Sequence, residues 1–457
     1  MSVLWTSKEA IAATGGTCDG SWAATGVSID TRSLEPGDLF VALKDQRDGH
    51  DFVADALAKG AAALVSRIPD GVAEMDRLLI VPDVLGALRD LGRAARARTQ
   101  AKVIGITGSV GKTSTKEMLR DALAPSGKTH AAERSFNNHW GVPLTLARMP
   151  ADTDFAVIEI GMNAPGEIAP LAKLADLDVA VITTVAPVHL EAFENVDGIA
   201  REKAAIFQGL RTTGTAIVNA DFPTRPVVQR LLADRSTVWF GETSDADPIL
   251  KAVTADGDTQ QVQFLWNGLD QTFTLGAAGR HFAVNALGVL AAVKAAGADP
   301  IKAMLALGHW GSPLGRGAQI DLSWGDGHIT VIDDSFNASP PSMAAALAVL
   351  AAKPAKRKIA ILGDMLELGS QEIALHAGLA DLQSINQIDL IHTVGPRMSH
   401  LHTALPEAKR GESFVSAETA QEVIKDLLLP GDTVMIKGSK GIWVSKLVTY
   451  LRSLEGG

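Results

Sequence analysis

The chain has 457 residues, of which 46% are hydrophobic and 21% are charged, and its formal net charge is −10. This length exceeds one compact core and predicts two to four domains, and the composition excludes a disordered chain. The acidic balance argues against a general nucleic-acid-binding protein, and the single cysteine excludes an internal disulfide. The sequence has no apolar run long enough to span a bilayer and no signal-peptide pattern at its start, so we expect a cytoplasmic protein without a transmembrane segment.

Residues 1–98 have the pattern of a small α/β domain. Strands are predicted over 27–30, 38–43, 61–66 and 78–81, and helices over 7–14, 51–59 and 83–98. Asp30, Thr31 and Arg32 follow the first of these strands. The ends of parallel strands are where α/β proteins bind ligands. Taken alone, however, such residues more often form a turn than a binding site.

A glycine-rich loop follows the next predicted strand, residues 102–106, and leads into a helix. The loop and the start of this helix are Gly108, Ser109, Val110, Gly111, Lys112, Thr113 and Ser114. Loop amides and the positive end of a helix dipole together bind phosphate. In this arrangement Lys112 would reach terminal phosphates and the Thr113 hydroxyl would hold Mg²⁺. The alternative is a tight turn with a surface lysine, and the spacing of only two residues before Gly111 is shorter than in the common phosphate loop.

Residues 99–312 alternate strands and helices, which is typical of a mostly parallel sheet with helices on both faces; a hairpin is predicted over 261–275. Glu159 interrupts an apolar strand and is a candidate Mg²⁺ ligand, unless a backbone group or an arginine satisfies it. His189 follows the next strand and is suggestive only by its position. Lys203 lies on a predicted helix and carries no signal of its own.

Two polar residues lie on one face of a later helix, since His281 and Asn285 are four positions apart. They could contact a base edge, although helix capping is an alternative. Residues 313–457 form the third segment. Its predicted strands end in small or polar residues, which is typical of a Rossmann-like sheet, but its glycines do not form a dinucleotide-binding motif.

Four stretches in combination resemble the Mur ligases of peptidoglycan synthesis: 107–113 with its short loop, 137–145, 333–340, and 362–369 followed by His376. The resemblance covers the whole chain and is far more specific than any single motif. It implies an N-terminal domain for the UDP-linked substrate (1–98), a central ATP-binding domain (99–312) and a Rossmann-like C-terminal domain that binds ATP and the incoming amine (313–457). Ser339 and Ser445 depart from the residues common in the family.

Among these ligases, the motifs are most similar to those of members that add D-alanyl-D-alanine to UDP-MurNAc-tripeptide. The resemblance therefore implies ATP and Mg²⁺ as cofactors, two small-molecule substrates, no nucleic-acid partner and a monomer. The alternatives are a sister ligase that adds another amino acid, a folylpolyglutamate synthetase, a P-loop NTPase that couples hydrolysis to motion, and a non-catalytic nucleotide-binding scaffold.

The resemblance also assigns roles to individual residues. Lys112 would hold the β- and γ-phosphates, Thr113 and Glu159 would bind one Mg²⁺, and His189 would bind a second Mg²⁺. Lys203 matches the family's carbamylated lysine, whose added carboxylate would be a metal ligand. The resemblance further implies ATP-binding roles for Gly108, Ser109, Val110, Gly111, Ser114, His281, Asn285, Arg316 and Asp334. It implies contacts with the UDP-linked substrate for Asp30, Thr31, Arg32, Asn137 and Asn138. It places Asn337 in the loop that closes over the acceptor.

Overall fold

The computed structural model describes residues 2–454, and its first domain contains a four-stranded parallel sheet of order β3-β4-β5-β6. In chain order the elements are β1 (Trp5–Thr6), α1 (Ser7–Thr14), β2 (Ala23–Ala24), β3 (Gly26–Ser28), β4 (Asp38–Val41), α2 (Val53–Ala58), β5 (Ala62–Val65), β6 (Leu78–Ile80) and α3 (Val84–Ala97). Local signals set the helix ends. Thr6 and Glu9 form a capping box at α1, which ends at Gly15 with φ 67°.

The central domain contains a parallel sheet of order β12-β11-β10-β7-β9-β8 and a separate antiparallel sheet, β13-β14-β15. The strands are β7 (Lys102–Thr107), β8 (Thr129–Ala131), β9 (Phe155–Glu159), β10 (Leu177–Ile182), β11 (Leu210–Asn219), β12 (Thr237–Phe240), β13 (Ile249–Asp256), β14 (Thr259–Trp266) and β15 (Leu269–Leu275). The helices are α4 (Lys112–Leu123), α5 (Gly141–Ala147), α6 (Ile168–Ala175), α7 (Val196–Ala204), α8 (Arg225–Leu232), α9 (Arg280–Ala295) and α10 (Pro300–Leu307). The predicted parallel sheet is confirmed, and the predicted hairpin is β14–β15.

Helices cover both faces of this parallel sheet. One apolar cluster joins the sheet to α4, α9 and α10, and another joins its opposite face to α6, α7 and α8. Strand β7 lies between β10 and β9, so the carboxyl ends of these three strands meet at one edge. That edge carries the phosphate loop and Glu159.

The C-terminal domain has a six-stranded sheet of order β16-β17-β21-β18-β19-β20, in which only β16 is antiparallel to its neighbour. Its elements are β16 (Ala318–Trp324), β17 (Gly327–Asp334), α11 (Pro340–Ala352), β18 (Arg357–Gly363), α12 (Glu372–Ala377), β19 (Leu390–Val394), α13 (Ser399–Ala404), β20 (Arg410–Phe414), α14 (Ala417–Leu427), β21 (Asp432–Lys437) and α15 (Ser445–Ser453). The predicted Rossmann-like sheet is confirmed. Within residues 2–454, none of the helices has the length and apolar character needed to cross a membrane.

The first and central domains share an apolar core. Leu144 and Ala147 of α5 belong to the same buried cluster as Trp5 and Leu88. The indole nitrogen of Trp5 donates a hydrogen bond to the carbonyl of Ala147 at 2.8 Å. A core that crosses a domain boundary holds the two domains in one arrangement.

The contacts between the central and C-terminal domains are largely polar. Lys353 pairs with Asp258 at 2.8 Å, and His189 pairs with Glu367. The connecting segment is fixed by Asp333, whose carboxylate accepts a hydrogen bond from the Gly315 amide at 2.9 Å. The C-terminal domain is therefore held on the central domain by hydrogen bonds and charges more than by buried apolar surface.

Candidate active site

The phosphate loop between β7 and α4 requires glycine at two positions. Gly108 has φ 156°, and a Cβ there would lie 1.9 Å from the Thr183 hydroxyl. Gly111 has φ 88°, and a Cβ there would lie 2.8 Å from the side-chain nitrogen of Asn285. Ser109 ties the loop to the end of β10, since its hydroxyl donates to the Ala186 carbonyl at 3.0 Å. The fold thus brings Asn285, far away in sequence, against the loop.

Lys112 begins α4, and its ammonium group donates a hydrogen bond to the Gly108 carbonyl at 2.6 Å. The lysine therefore folds back over the loop that it follows. Burial lowers the pKa of Lys112 to about 8, with Glu159 opposing that shift and Arg316 adding to it. A cation held over a ring of loop amides is the arrangement that binds terminal phosphates.

Glu159 is 1% exposed, and its two carboxylate oxygens have different environments. Oε1 accepts hydrogen bonds from the Thr113 hydroxyl at 3.2 Å and from the Asn137 amide at 2.8 Å. Oε2 is buried and has no hydrogen-bond partner among residues 2–454. An unpartnered buried carboxylate oxygen is costly, and a divalent cation would satisfy it, so Thr113 and Glu159 fit Mg²⁺. Residues 2–454 contain no cluster of three or more His, Cys, Asp or Glu that could hold a metal ion without further ligands.

Lys203 is 1% exposed and lies at the end of α7. Its Nζ makes no hydrogen bond within the described part of the chain. Burial and the nearby charge of Lys112 hold the pKa of Lys203 well below its usual value, with Glu202 opposing them. The carboxylate of Glu202 does not bond to Lys203; it accepts hydrogen bonds from the backbone amides of Gly166 and Ile168 at 2.8 and 2.9 Å. The environment of Lys203 therefore favours its neutral, nucleophilic form.

His189 stands in the left-handed backbone region with φ 54°. Its Nδ1 pairs with Glu367 of the C-terminal domain, and this hydrogen bond lowers the pKa of Glu367. Glu367 carries no sequence signal of its own beyond its place in the stretch 362–369. The structure thus ties the expected metal ligand His189 to the other domain.

Arg316 connects the two domains at the phosphate loop. Its guanidinium group donates to the Thr113 hydroxyl at 3.3 Å and lies 4.1 Å from the centre of the Phe336 ring. Burial lowers the pKa of Arg316, whereas Glu159 and Asp334 oppose that shift. The structure therefore places the predicted Arg316 beside Thr113 and Glu159.

Lys437, at the end of β21, is a buried cation that the sequence analysis missed. Its ammonium group donates to Asp334 at 2.7 Å and to the Asn337 carbonyl at 2.9 Å. Burial raises the pKa of Asp334, and Lys437 opposes that shift. Burial, with a smaller contribution from Lys437, lowers the pKa of His281 to about 4 and so favours its neutral form. The only available signal was a lysine directly after an apolar strand.

Asp30, Thr31 and Arg32 line a cleft of about 1600 Å³ that is shared by all three domains. The Arg32 guanidinium pairs with Asp30 at 2.7 Å, and this contact holds the pKa of Asp30 at about 2. Asp30, Thr31 and Arg32 thus form a turn and are also part of the cleft wall.

The two predicted asparagines lie elsewhere and do not line this cleft. Asn137 contacts Glu159, while the side-chain oxygen of Asn138 accepts from the Gly141 amide at 2.9 Å and holds the start of α5. Asn337 is exposed, and its side-chain oxygen accepts from the Ala338 amide.

A phosphate loop in a parallel sheet, with Arg316 of the C-terminal domain beside it and a cleft lined by all three domains, fits the class of three-domain ATP-dependent ligases. Three family models match in succession: Mur ligase family, catalytic domain (23–96), Mur ligase middle domain (106–293), and Mur ligase, glutamate ligase domain (316–440). The chain therefore belongs to the Mur ligase family.

The relatives share nearly the full length of the chain. UDP-N-acetylmuramoyl-tripeptide–D-alanyl-D-alanine ligase of Rickettsia prowazekii is 33% identical and aligns with 98% of this chain and 100% of its own. MurF from Acinetobacter baumannii has a similar structure, with a TM-score of 0.85, 28% identity and coverage of 98% of this chain and 99% of that chain. MurF from Thermotoga maritima in complex with ADP has a TM-score of 0.79, 25% identity and coverage of 94% and 98%.

Proposed function

We propose that the chain is an ATP-dependent ligase that joins D-alanyl-D-alanine to the C-terminal carboxylate of UDP-MurNAc-tripeptide, yielding UDP-MurNAc-pentapeptide, ADP and phosphate. The observation that carries the proposal is the meeting of Lys112, Thr113 and Glu159 with Arg316 across a domain boundary. The names of the full-length relatives support the same assignment. We further propose that it acts as a cytoplasmic monomer in peptidoglycan precursor synthesis.

The first chemical step activates the donor, because a free carboxylate is a poor acyl donor. Transfer of the γ-phosphoryl group of ATP onto the carboxylate gives an acyl phosphate and ADP. Lys112, the amino end of α4 and Arg316 offset the charge on the transferring group. When bound, Mg²⁺ would neutralise charge on the transferring phosphoryl group. The proposed protein ligands are Thr113 and Glu159 for one ion and His189 for a second, with a carbamylated Lys203 as a further metal ligand.

The second step forms the amide bond. The amine of D-alanyl-D-alanine attacks the acyl carbon, and the tetrahedral intermediate expels phosphate. Water must be excluded meanwhile, since it would hydrolyse the acyl phosphate. The polar interface between the central and C-terminal domains suits this requirement, because its contacts can break and re-form as that domain opens and closes.

Lys203 provides the proposed carbamate. Its amine is buried near the charge of Lys112, which lowers its pKa and favours the neutral amine, the form that adds to CO₂. The product is anionic, so it would be stabilised by Lys112 and by Mg²⁺. Preparing the enzyme in CO₂-free buffer should depress activity, and added bicarbonate should restore it. Lys203→Ala should lose activity without any response to bicarbonate; full activity of this variant would contradict the role.

A coupled phosphate-release assay tests the function. UDP-MurNAc-tripeptide and ATP are offered with D-alanyl-D-alanine, with single amino acids, or without an acceptor. We expect phosphate release that depends on the dipeptide, and mass spectrometry should find the pentapeptide product. Transfer of a single amino acid would instead identify a sister ligase, and release without an acceptor would identify a P-loop NTPase.

A further inference from the structure

A loop of the C-terminal domain between β21 and α15 reaches the cleft that Asp30 and Arg32 line. Its two cleft-lining residues are Lys440 and Trp443. Trp443 is 54% exposed, and it adopts φ 60°, a backbone conformation that large side chains rarely take. Lys440 is exposed and forms no ion pair with any of residues 2–454. An uncovered aromatic ring and an unpaired cation therefore stand together on the wall of the cleft.

The position of Lys440 relates it to the phosphate site. Its ammonium group lies 5.9 Å from the centre of the Phe336 ring. Phe336 also contacts Arg316, which in turn donates to the Thr113 hydroxyl. Lys440 thus stands where the cleft approaches the site of phosphoryl transfer.

The central domain also connects the cleft with the site of phosphoryl transfer. Arg134 and Phe136 line the cleft, and the hydroxyl of Ser135 between them lies 3.2 Å from the Thr113 hydroxyl. A donor that extends along the cleft would bring its reacting carboxylate to this point. That carboxylate belongs to the third residue of the peptide, so the side chain of the third residue must lie within one side-chain length of it.

We propose that Lys440 and Trp443 recognise the side chain of the donor's third residue, with Trp443 packing on its methylene groups and Lys440 pairing with a carboxylate at its end. The inference rests on the proposed function and deepens it. It assigns the substrate to the class of tripeptides whose third residue ends in a carboxylate, such as diaminopimelate. The terminal carbon of diaminopimelate carries both a carboxylate and an ammonium group. A lysine in that position would present an ammonium group alone to Lys440, and the two like charges repel.

The test compares donors that end in diaminopimelate and in lysine, at saturating D-alanyl-D-alanine. The wild type should prefer the diaminopimelate donor in kcat/KM by about tenfold, as expected for one charge-assisted hydrogen bond. Lys440→Met should abolish the preference, and Lys440→Glu should reverse it. Trp443→Ala should raise KM for both donors several-fold, and Trp443→Phe should restore most of the affinity.

Lys446→Met is the matched control. Lys446 lies 5.8 Å from the Trp443 ring and pairs with Glu418, but it does not line the cleft, so this variant should keep the wild-type preference. Equal effects of Lys440→Met on both donors, or an effect on KM of the dipeptide alone, would overturn the inference. A wild-type chain that joins no dipeptide to either donor would overturn the proposed function instead.

Discussion

The two interfaces of the central domain differ in chemistry. Towards the first domain, Trp5, Leu144 and Ala147 share one buried apolar cluster. Towards the C-terminal domain, the contacts are ion pairs and hydrogen bonds such as those of His189 and Arg316. Apolar burial is stabilising in one geometry, whereas exposed charge pairs contribute little and re-form easily. The comparison indicates a fixed platform for the donor and a movable domain over the nucleotide.

Trp5→Ala should have the largest effect on stability, a loss of about 3–5 kcal/mol in the free energy of unfolding, because it empties a buried aromatic site and removes the bond to Ala147. Chemical denaturation measures the change. Trp5→Phe, which keeps most of the volume, is the control and should lose less. A loss below about 1 kcal/mol for Trp5→Ala would contradict a shared core.

Arg316→Ala should leave that stability nearly unchanged but lower kcat/KM by about 10²–10³, the range for removing one preorganised donor at a developing charge. Steady-state phosphate release and denaturation of the same sample separate the two effects. Arg316→Lys should recover only part of the activity, because lysine lacks the planar fork that reaches Thr113 and stacks on Phe336. Wild-type activity of Arg316→Ala would remove this residue from the proposed site.

Glu367→Gln should loosen the C-terminal domain by breaking the charge pair with His189. A partly exposed pair contributes about 1 kcal/mol or less, so the ratio of open to closed molecules should change up to about fivefold. Small-angle scattering or a fluorescence pair across the two domains would measure it. The control is Glu191→Gln, a neighbouring exposed glutamate without an ion pair in the described chain. An equal ratio of open to closed molecules in the two variants would argue that the pair between His189 and Glu367 does not hold the C-terminal domain in place.

The pair between Lys353 and Asp258 should contribute least. Asp258 is 73% exposed, so solvent screens the attraction. A double-mutant cycle with Lys353→Met and Asp258→Asn should give a coupling energy below about 1 kcal/mol. A larger value would mean that this interface is also rigid, and the contrast with the first domain would weaken.

Much of the fold could be predicted from the sequence. The strand before the phosphate loop, the glycine-rich loop itself and the helix over 7–14 are local features, and the structure confirms each of them. Part of the candidate site could also be predicted from the sequence. Lys112, Thr113 and Glu159 follow from motif and burial. His189 was suggested only by its position after a strand, and Lys203 carried no signal beyond the family resemblance.

Contacts between residues that are far apart in the chain could not be predicted from local sequence patterns. Nothing local shows that Asn285 meets Gly111, that Arg316 reaches Thr113, or that Lys437 is buried beside Asp334. The sequence also could not show that Asn137 contacts Glu159 whereas its neighbour Asn138 does not.

By itself, the sequence determined the elements, their order and the phosphate loop, because hydrophobic periodicity, glycine conformation and capping act over a few residues. The tertiary structure decided which charges meet. It left one oxygen of Glu159 unpartnered, buried the amine of Lys203, paired His189 with Glu367 and set Lys440 on the cleft wall. The physical reason is that burial and electrostatic coupling depend on distances in space, which chain separation does not specify.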